Sequence, residues 1–396
     1  MKTTNIKAHI DIVTGIIWAL IFSSFFTLAG CTEKQIEVDD DKEDKVIVPV
    51  IPSGHEDLSA TSTANCYIVS QSGSYCLLAA TGNKKDLLLH GTTSASVLWE
   101  SFGTSTVPNV GDLVKDVEYK DGYISFHTAD TFKEGNAVIA AKDSTGTILW
   151  SWHIWLTDQP VGQVYFNDAG TMMDRNLGAT SATPNDVGAL GLLYQWGRKD
   201  PFLGSSSISS DNVAESTITW PPAIAADDVI GTPFLYTVAH PTTFITGNKW
   251  KSDWFGSNID PQLITRWSES GKPKTIYDPC PAGWRVPDGG ENGVWAKAIN
   301  ARYTYTNHDY DTTDEGNNLS GHLGSDPIIW YPDSGYLSNN TGILKSVGNN
   351  GICWSASQMD EYSYYIVTDP RSISTDQWGY RADGFSVRCV QDSNEL

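Results

Sequence analysis

Basic side chains are scarce in this chain. Its 396 residues hold 26 Lys and Arg against 47 Asp and Glu, a formal net charge of -21. Clustered Lys and Arg are what hold a phosphate backbone, so this balance argues against nucleic acid as a partner. Acidity on this scale serves solubility at a crowded surface. The familiar catalytic signatures are missing too. No Gly-x-Ser-x-Gly, His-Glu-x-x-His or Cys-x-x-Cys occurs, and the eight His fall in no diagnostic spacing. Asp and Glu pairs turn up in any acidic chain and carry no evidence of glycosidase chemistry. Long charged side chains are few, which disfavours helix bundles. What is plentiful instead is Trp (15) and Gly (35), the composition of twisted sheets and turn-rich loops.

Only the start of the chain has a long apolar run. Lys2 and Lys7 precede the stretch Ile12 to Leu28, which ends in Leu28-Ala29-Gly30-Cys31. A positive start, an apolar centre and small residues at the cut mark residues 1–30 as a secretory signal peptide. Its end looks like a bacterial lipobox, which implies cleavage before Cys31 and a diacylglycerol and an acyl chain on that residue. More than one chain is what stable anchoring requires. Residues 31–57 then read as an acidic tether, because Glu37-Val38-Asp39-Asp40-Asp41-Lys42-Glu43-Asp44 cannot bury a core. An acidic run just after the lipidated cysteine is similar to the surface-export signals of Bacteroidota lipoproteins. The expected location is the cell outer membrane, lipid-anchored and displayed outward. Cys66, Cys76, Cys280, Cys353 and Cys389 remain in an oxidising setting, and an odd number leaves at least one thiol unpaired.

Residues 58–158 read as a β domain. Asn65 to Ser70, Gly73, then Tyr75 to Ala79 make a hairpin pattern with Cys66 and Cys76 on its two arms, a placement suited to a disulfide. Val114 to Tyr119 and Tyr123 to Phe126 flank the turn pair Asp121-Gly122, a primed-turn signal. A third hairpin joins Ala137–Ala141 to Ile148–Leu156. In its second strand Trp150, Trp152, Ile154 and Leu156 share one face, with Leu149, Ser151, His153 and Trp155 on the other. That alternation makes His153 a hydrogen-bonded sheet residue rather than a metal ligand. Short strands at this spacing point to an immunoglobulin-like β-sandwich.

Beyond Thr157-Asp158-Gln159-Pro160 the period-two pattern weakens, and residues 159–396 read as a loop-rich α+β domain. Ala189 to Trp196 is expected to form a short helix ended by Gly197 and Pro201, and Val294 to Ile299 a second. Tyr303 to Asn318 is expected to be a long loop. Closing strands are expected at Trp330-Tyr331, Ile352 to Ser357, Tyr364 to Val367 and Phe385 to Val390. The most unusual stretch is Tyr277-Asp278-Pro279-Cys280-Pro281-Ala282-Gly283-Trp284-Arg285-Val286-Pro287, where prolines fix an irregular turn and Trp284 is expected to fill the core.

In order along the chain, Asp174 to Ala179, Tyr194 to Arg198, Tyr277 to Pro287, Trp354 to Ser357 and Val387 to Val390 resemble the Fibrobacter succinogenes major paralogous domain. That family has a C-type-lectin-like or formylglycine-generating-enzyme-like fold, and the resemblance spans about Val164 to Gln391. The preceding β domain resembles the N-terminal region of fimbrillin-like surface lipoproteins of Bacteroidota. Lectin-like folds often tie an early loop to the last strand, which implies a disulfide between Cys280 and Cys389 and leaves Cys353 as the odd thiol beside Trp354. So paired, the cysteines offer no reactive thiol set of the kind a formylglycine-generating oxidase needs.

What the resemblance implies is a surface-anchored, non-enzymatic adhesin or binding module for a glycan or protein ligand, associated with fimbriae. The alternatives are a structural fimbrial subunit without its own ligand and, remotely, an enzyme of the formylglycine-generating type. Rings mixed with Asn and Asp bind sugars by stacking and hydrogen bonding, so Tyr303, Tyr305, His308, Tyr310, Trp378 and Tyr380 are the candidate ligand contacts. No cofactor is expected apart from calcium, for which Asp309, Asp311, Asp314 and Glu315 supply clustered oxygens. That cluster departs from the EF-hand pattern, and the Glu-Pro-Asn and Trp-Asn-Asp signatures of calcium-dependent lectins are absent.

Overall fold

Period-two alternation governs the first hundred residues of the computed structural model, which describes residues 48–205, 215–229, 233–247, 253–255, 266–305, 316–369 and 371–393. Strands β1 (Glu56–Asp57), β2 (Cys66–Val69), β3 (Ser74–Leu78), β4 (Ser94–Ser101), β5 (Val114–Lys120), β6 (Tyr123–Thr128), β7 (Gly135–Lys142) and β8 (Ile148–Leu156) build two sheets. Their orders are β1-β3-β6-β5 and β2-β8-β7-β4. Between them lie Tyr75, Leu77, Ile124 and Phe126 from one sheet and Val69, Ile139, Trp150, Trp152, Ile154 and Leu156 from the other. Each such side chain contributes roughly 1.5–3 kcal/mol by leaving water. The β5–β6 turn is formed by Asp121 (φ 47°) and Gly122 (φ 82°), the primed geometry that matches strand twist.

The first hairpin reading is corrected. β2 pairs in parallel with β8, Cys66 opposite His153, while β3 pairs with β6, Cys76 opposite Ser125. The chain therefore crosses from one sheet to the other at residues 70–73. Tyr67 and Val69 enter the shared core, which turns Cys66 away from it. Cys76 lies with Leu78 and Tyr123 on the outer face of the opposite sheet. Facing sheets stand about 10 Å apart and a disulfide needs Cα atoms within about 7 Å, so both cysteines are buried free thiols.

The outer face of the β2-β8-β7-β4 sheet is covered by the second half of the chain. Cys66, Trp99, Val138 and Trp155 share one apolar cluster with Met173, Leu177, Tyr194, Trp196, Trp354, Phe385 and the Cys280–Cys389 pair. The described residues from Val48 onward accordingly belong to one compact unit. Polar groups follow the same seam: Asn136 Nδ2 donates to Gly178 O at 2.9 Å, and Trp155 Nε1 to Ala179 O at 3.0 Å. His153 is buried there with its Nε2 2.9 Å from Asn136 Oδ1, and burial pushes its pKa down to about 3. It is hydrogen-bonded, as expected.

The regular elements of the second half are again mainly strands, most of them short. β9 (Gly162–Tyr165), β10 (Gly170–Met173), β11 (Leu193–Gln195), β12 (Ile224–Ala225), α1 (Pro233–Ala239), β13 (Ile245–Thr246), β14 (Trp284–Arg285), α2 (Val294–Ile299), β15 (Tyr303–Tyr305) and β16 (Gly316–Asn318) come first. β17 (Trp330–Pro332), β18 (Tyr336–Leu337), β19 (Leu344–Lys345), β20 (Gly351–Met359), β21 (Tyr362–Asp369), β22 (Ser372–Gly379), β23 (Gly384–Ser386) and β24 (Val390–Gln391) complete it. One sheet runs β14-β24-β10-β9 and a larger one β15-β22-β21-β20-β23-β18-β19, with β11 also on β23. Helix α2 buries Val294, Trp295 and Ala298 and stops at Asn300, whose left-handed φ of 53° lets its N–H reach back to Ala296 O and Lys297 O.

Three further expectations change. Ala189 to Trp196 is not a helix: Gly191 takes φ 73°, and β11 then extends with Tyr194 opposite Phe385. Trp284 is only half-buried, and it is Arg285 and Val286 that lie inside. The closing strand is split into β23 and β24, and between them Val387 O and Cys389 O accept from Leu177 N and Met173 N.

Cys280 and Cys389 are disulfide-bonded. Beside the bridge Asp278 is fully buried, accepting from Cys280 N at 2.9 Å and Val286 N at 3.1 Å, and burial holds its carboxyl above the usual range despite Lys274. Cys353 is a buried thiol next to Asn176, at 3.6 Å from its Oδ1. Cys31, with residues 1–47, lies outside the described residues.

Candidate functional site

The β21–β22 hairpin has two unlike faces. On one, Tyr365 packs edge-on against Trp354 and Phe385, with ring centroids 5.9 and 5.1 Å away, and Trp354 stacks on Phe385 at 4.2 Å. That face belongs to the shared core. On the other, Tyr364 sits opposite Trp378, with Tyr362 two residues away on the same side. Trp378 is 46% exposed and Tyr380 41%. Tyr362 lies between them, its ring centroid 4.5 Å from Trp378 and 5.5 Å from Tyr380. The result is a small aromatic surface on a hairpin whose far side is anchored in the core.

Arg381 holds this surface from beneath. It is 3% exposed, and its guanidinium donates to Ser363 Oγ (3.1 Å), Asp360 O (2.7 Å), Tyr362 O (3.0 Å) and Gln358 Oε1 (3.3 Å). Those acceptors surround the β20–β21 turn, where Asp360 takes φ 50°. Arg381 in turn lies over the Trp196 ring at 4.8 Å and 3.5 Å from Asp253 Oδ2. Burial and the nearby Arg266 lower its pKa to about 10, still charged at neutral pH. Asp253 carries a second, bidentate pair with Arg266 at 2.9 and 2.6 Å; burial opposes its ionisation, but the two guanidiniums hold it below the usual carboxylate range.

Of the candidate ligand contacts, the structure brings Trp378 and Tyr380 together. Tyr303 is half-exposed on edge strand β15, opposite Ser374. Ser374 also pairs with Val367, so register places Tyr303 on the Val367 side of the sheet and Trp378 on the Tyr364 side. Tyr305 ends β15 opposite Ser372, and its ring is outside the described residues. His308, Tyr310, Asp309, Asp311, Asp314 and Glu315 lie outside the described residues as well. Tyr362 and Arg381 went unnoticed in the sequence. The alternation of Tyr362 and Tyr364 was a usable signal for the first; nothing local marks the second.

Comparison with known proteins finds no matching family, no matching curated protein and no matching solved structure. The chemistry must therefore be read from the residues. Among the described residues no group of His, Cys, Asp and Glu is arranged to hold a metal ion. The free thiols are poor nucleophiles: burial pushes Cys353 up to about 12, burial together with Asp57 takes Cys76 to about 12, and burial raises Cys66 well above its ordinary value. The exposed rings of Trp378 and Tyr380, with half-buried Tyr362 between them, are suited to stacking on a ligand.

Proposed function

We propose that the protein is a lipid-anchored surface lipoprotein that binds a glycan or protein ligand without transforming it, an adhesin carried on an immunoglobulin-like β-sandwich with a C-type-lectin-like second half. The observation that carries this reading is the ring set at the β21–β22 hairpin, exposed Trp378 and Tyr380 with half-buried Tyr362 between them. Flat faces of this kind stack on the apolar side of a pyranose or a peptide ring, while the carbonyls and amides nearby meet its hydroxyls. Anchoring by the lipidated Cys31 and the acidic tether would present the surface outward at the outer membrane, alone or beside fimbrial subunits. The locked Cys280–Cys389 pair and the protonated thiols give no support to an oxidase of the formylglycine-generating type.

The test is a glycan and host-protein array probed with the full chain and with Trp378→Ala. Binding by the parent and loss of roughly tenfold or more in the variant is the expected result, since one stacked ring contributes on the order of 1–2 kcal/mol. An empty array together with co-purification in a pilus polymer would replace this reading with that of a structural fimbrial subunit.

A further inference from the structure

A second feature lies away from the aromatic surface and does not depend on it. The loop at residues 268–274 is unusually well built. Arg285, 1% exposed, donates from Nη1 to Lys272 O at 3.0 Å and from Nη2 to Glu269 O at 2.6 Å and to Ser268 O. Ser268 Oγ donates to Pro273 O at 2.7 Å, and Ser270 N to Asp288 Oδ1 at 2.8 Å. Across from it, Asn83 Nδ2 donates to Thr275 O at 2.7 Å, which pins the turn around residues 81–84 to the end of the same loop.

Between the two lies a cleft of about 350 Å³ lined by Asn83, Lys84, Gly271, Lys272, Pro273, Lys274 and Asp392. Three lysines, Lys84, Lys272 and Lys274, line it. Asp392, the carboxylate in the lining, has its charge met from behind by Arg285, 3.6 Å away. Lys84 makes no ion pair among the described residues, and Lys272 only a loose, exposed one with Glu269 at 3.9 Å. Lys274 is 6% exposed, and its ammonium donates to Cys280 O and Pro281 O, both at 3.2 Å. That ammonium also acts on the buried Asp278 carboxyl, so Lys84 and Lys272 are the lysines left to meet a ligand.

We infer that this cleft is an oxyanion-binding site, sized for a single sugar bearing a carboxylate, phosphate or sulfate. In a chain of net charge -21 the far field repels anions. Inside a Debye length of about 8 Å at physiological salt, however, the local charges dominate: Lys84 and Lys272 against Asp392, which Arg285 offsets. Ammonium groups are point charges with rotatable donors, and they accept tetrahedral and planar oxyanions alike. The held walls mean that little ordering is required when the ligand enters.

Titration of the full chain with glucuronate, glucose 6-phosphate and glucose, followed by calorimetry or by ligand-observed NMR, tests the site. Both anionic sugars are expected to bind more tightly than glucose and to weaken as salt is raised; whichever is tighter names the oxyanion. The double variant Lys84→Gln/Lys272→Gln, which changes side chains outside the core, is expected to keep its melting temperature and lose about tenfold or more in affinity, the worth of a charged hydrogen bond. The Lys84→Arg/Lys272→Arg pair should retain binding. Equal binding of glucose, no binding of either anionic sugar, or unchanged affinity in the Gln variant overturns the assignment.

Discussion

The side-chain amide of Asn65 donates to Asp278 O at 2.8 Å, across 213 positions of chain. The same nitrogen reaches Ile276 O at 2.7 Å, and its oxygen accepts from Trp150 Nε1 at 3.0 Å. One buried amide thus joins the first β layer to the turn that carries Cys280. Asn65→Ala takes the partner from Ile276 O and from the Trp150 indole N–H in a buried seam, while Asp278 O keeps its 3.3 Å hydrogen bond from Asn83 Nδ2. We expect a loss of roughly 2–4 kcal/mol, read as a lower midpoint in urea, with a single transition retained because both halves share a core. Two separated transitions in the parent protein would contradict that shared core.

The Cys280–Cys389 bridge spans 109 positions. The chain-entropy account gives about 4–5 kcal/mol for a loop of this length, an upper-end figure. Cys280→Ala, or reduction, is expected to lower the melting temperature markedly, whereas Cys353→Ala, which removes a small buried thiol, should cost far less. Peptide mapping without reductant should recover Cys280 bonded to Cys389, with Cys66, Cys76 and Cys353 all alkylated only after unfolding. Any bridge involving Cys66 or Cys76 would refute the two-sheet placement of these residues.

Asp333 is fully buried, and burial, aided by the charge of Asp369, pushes its pKa up to about 7. Burial takes Asp383 to about 6, against the hydrogen bonds from Asn339. Both exceed the unfolded value of about 3.9. A carboxyl raised by the fold holds its proton more tightly in the folded state. Its contribution is therefore fully present below about pH 4 and is lost as pH climbs through about 6 to 7. Asp333→Asn removes the buried charge and should be more stable than the parent by roughly 1–3 kcal/mol near pH 8, with no such gain near pH 4. Equal effects at the two pH values, measured by denaturant melts, would sink this account.

Arg381 supports the aromatic surface through geometry that Lys cannot copy. Arg381→Lys keeps the charge but not the planar fork that spans Ser363, Asp360 and Tyr362. A loss of roughly 1–3 kcal/mol is expected, with weaker ligand binding although no ligand-facing ring has changed. Unchanged stability would show the β20–β21 turn to be self-supporting.

How much of this was legible beforehand depended on how local the cause was. The Asp121-Gly122 turn, the two faces of Trp150 to Leu156, and helix Val294–Ile299 all rest on neighbours a few residues apart, and each was readable. Cys66 and Cys76 were not, because the same alternation fits a hairpin or a crossing between sheets; only the pairing of β2 with β8 decides it. Tyr194 likewise follows a distant partner, Phe385, over its local helical pattern. At the candidate site the exposed Trp378 and Tyr380 were within reach of composition. Arg381 was not, since its role comes from acceptors spread over residues 358–363.

The disulfide also has a mechanical meaning. The aromatic surface lies on residues enclosed by Cys280 and Cys389, so a pull applied there enters a covalently closed ring and leaves through both cysteines at once. A pull on the two ends of the chain bypasses the ring altogether. The 109 positions it encloses, worth roughly 380 Å of extended chain, stay out of the load path until the sulfur–sulfur bond itself is cut. A pull on the two ends would therefore be borne by residues outside the ring, the first β layer and its seam among them.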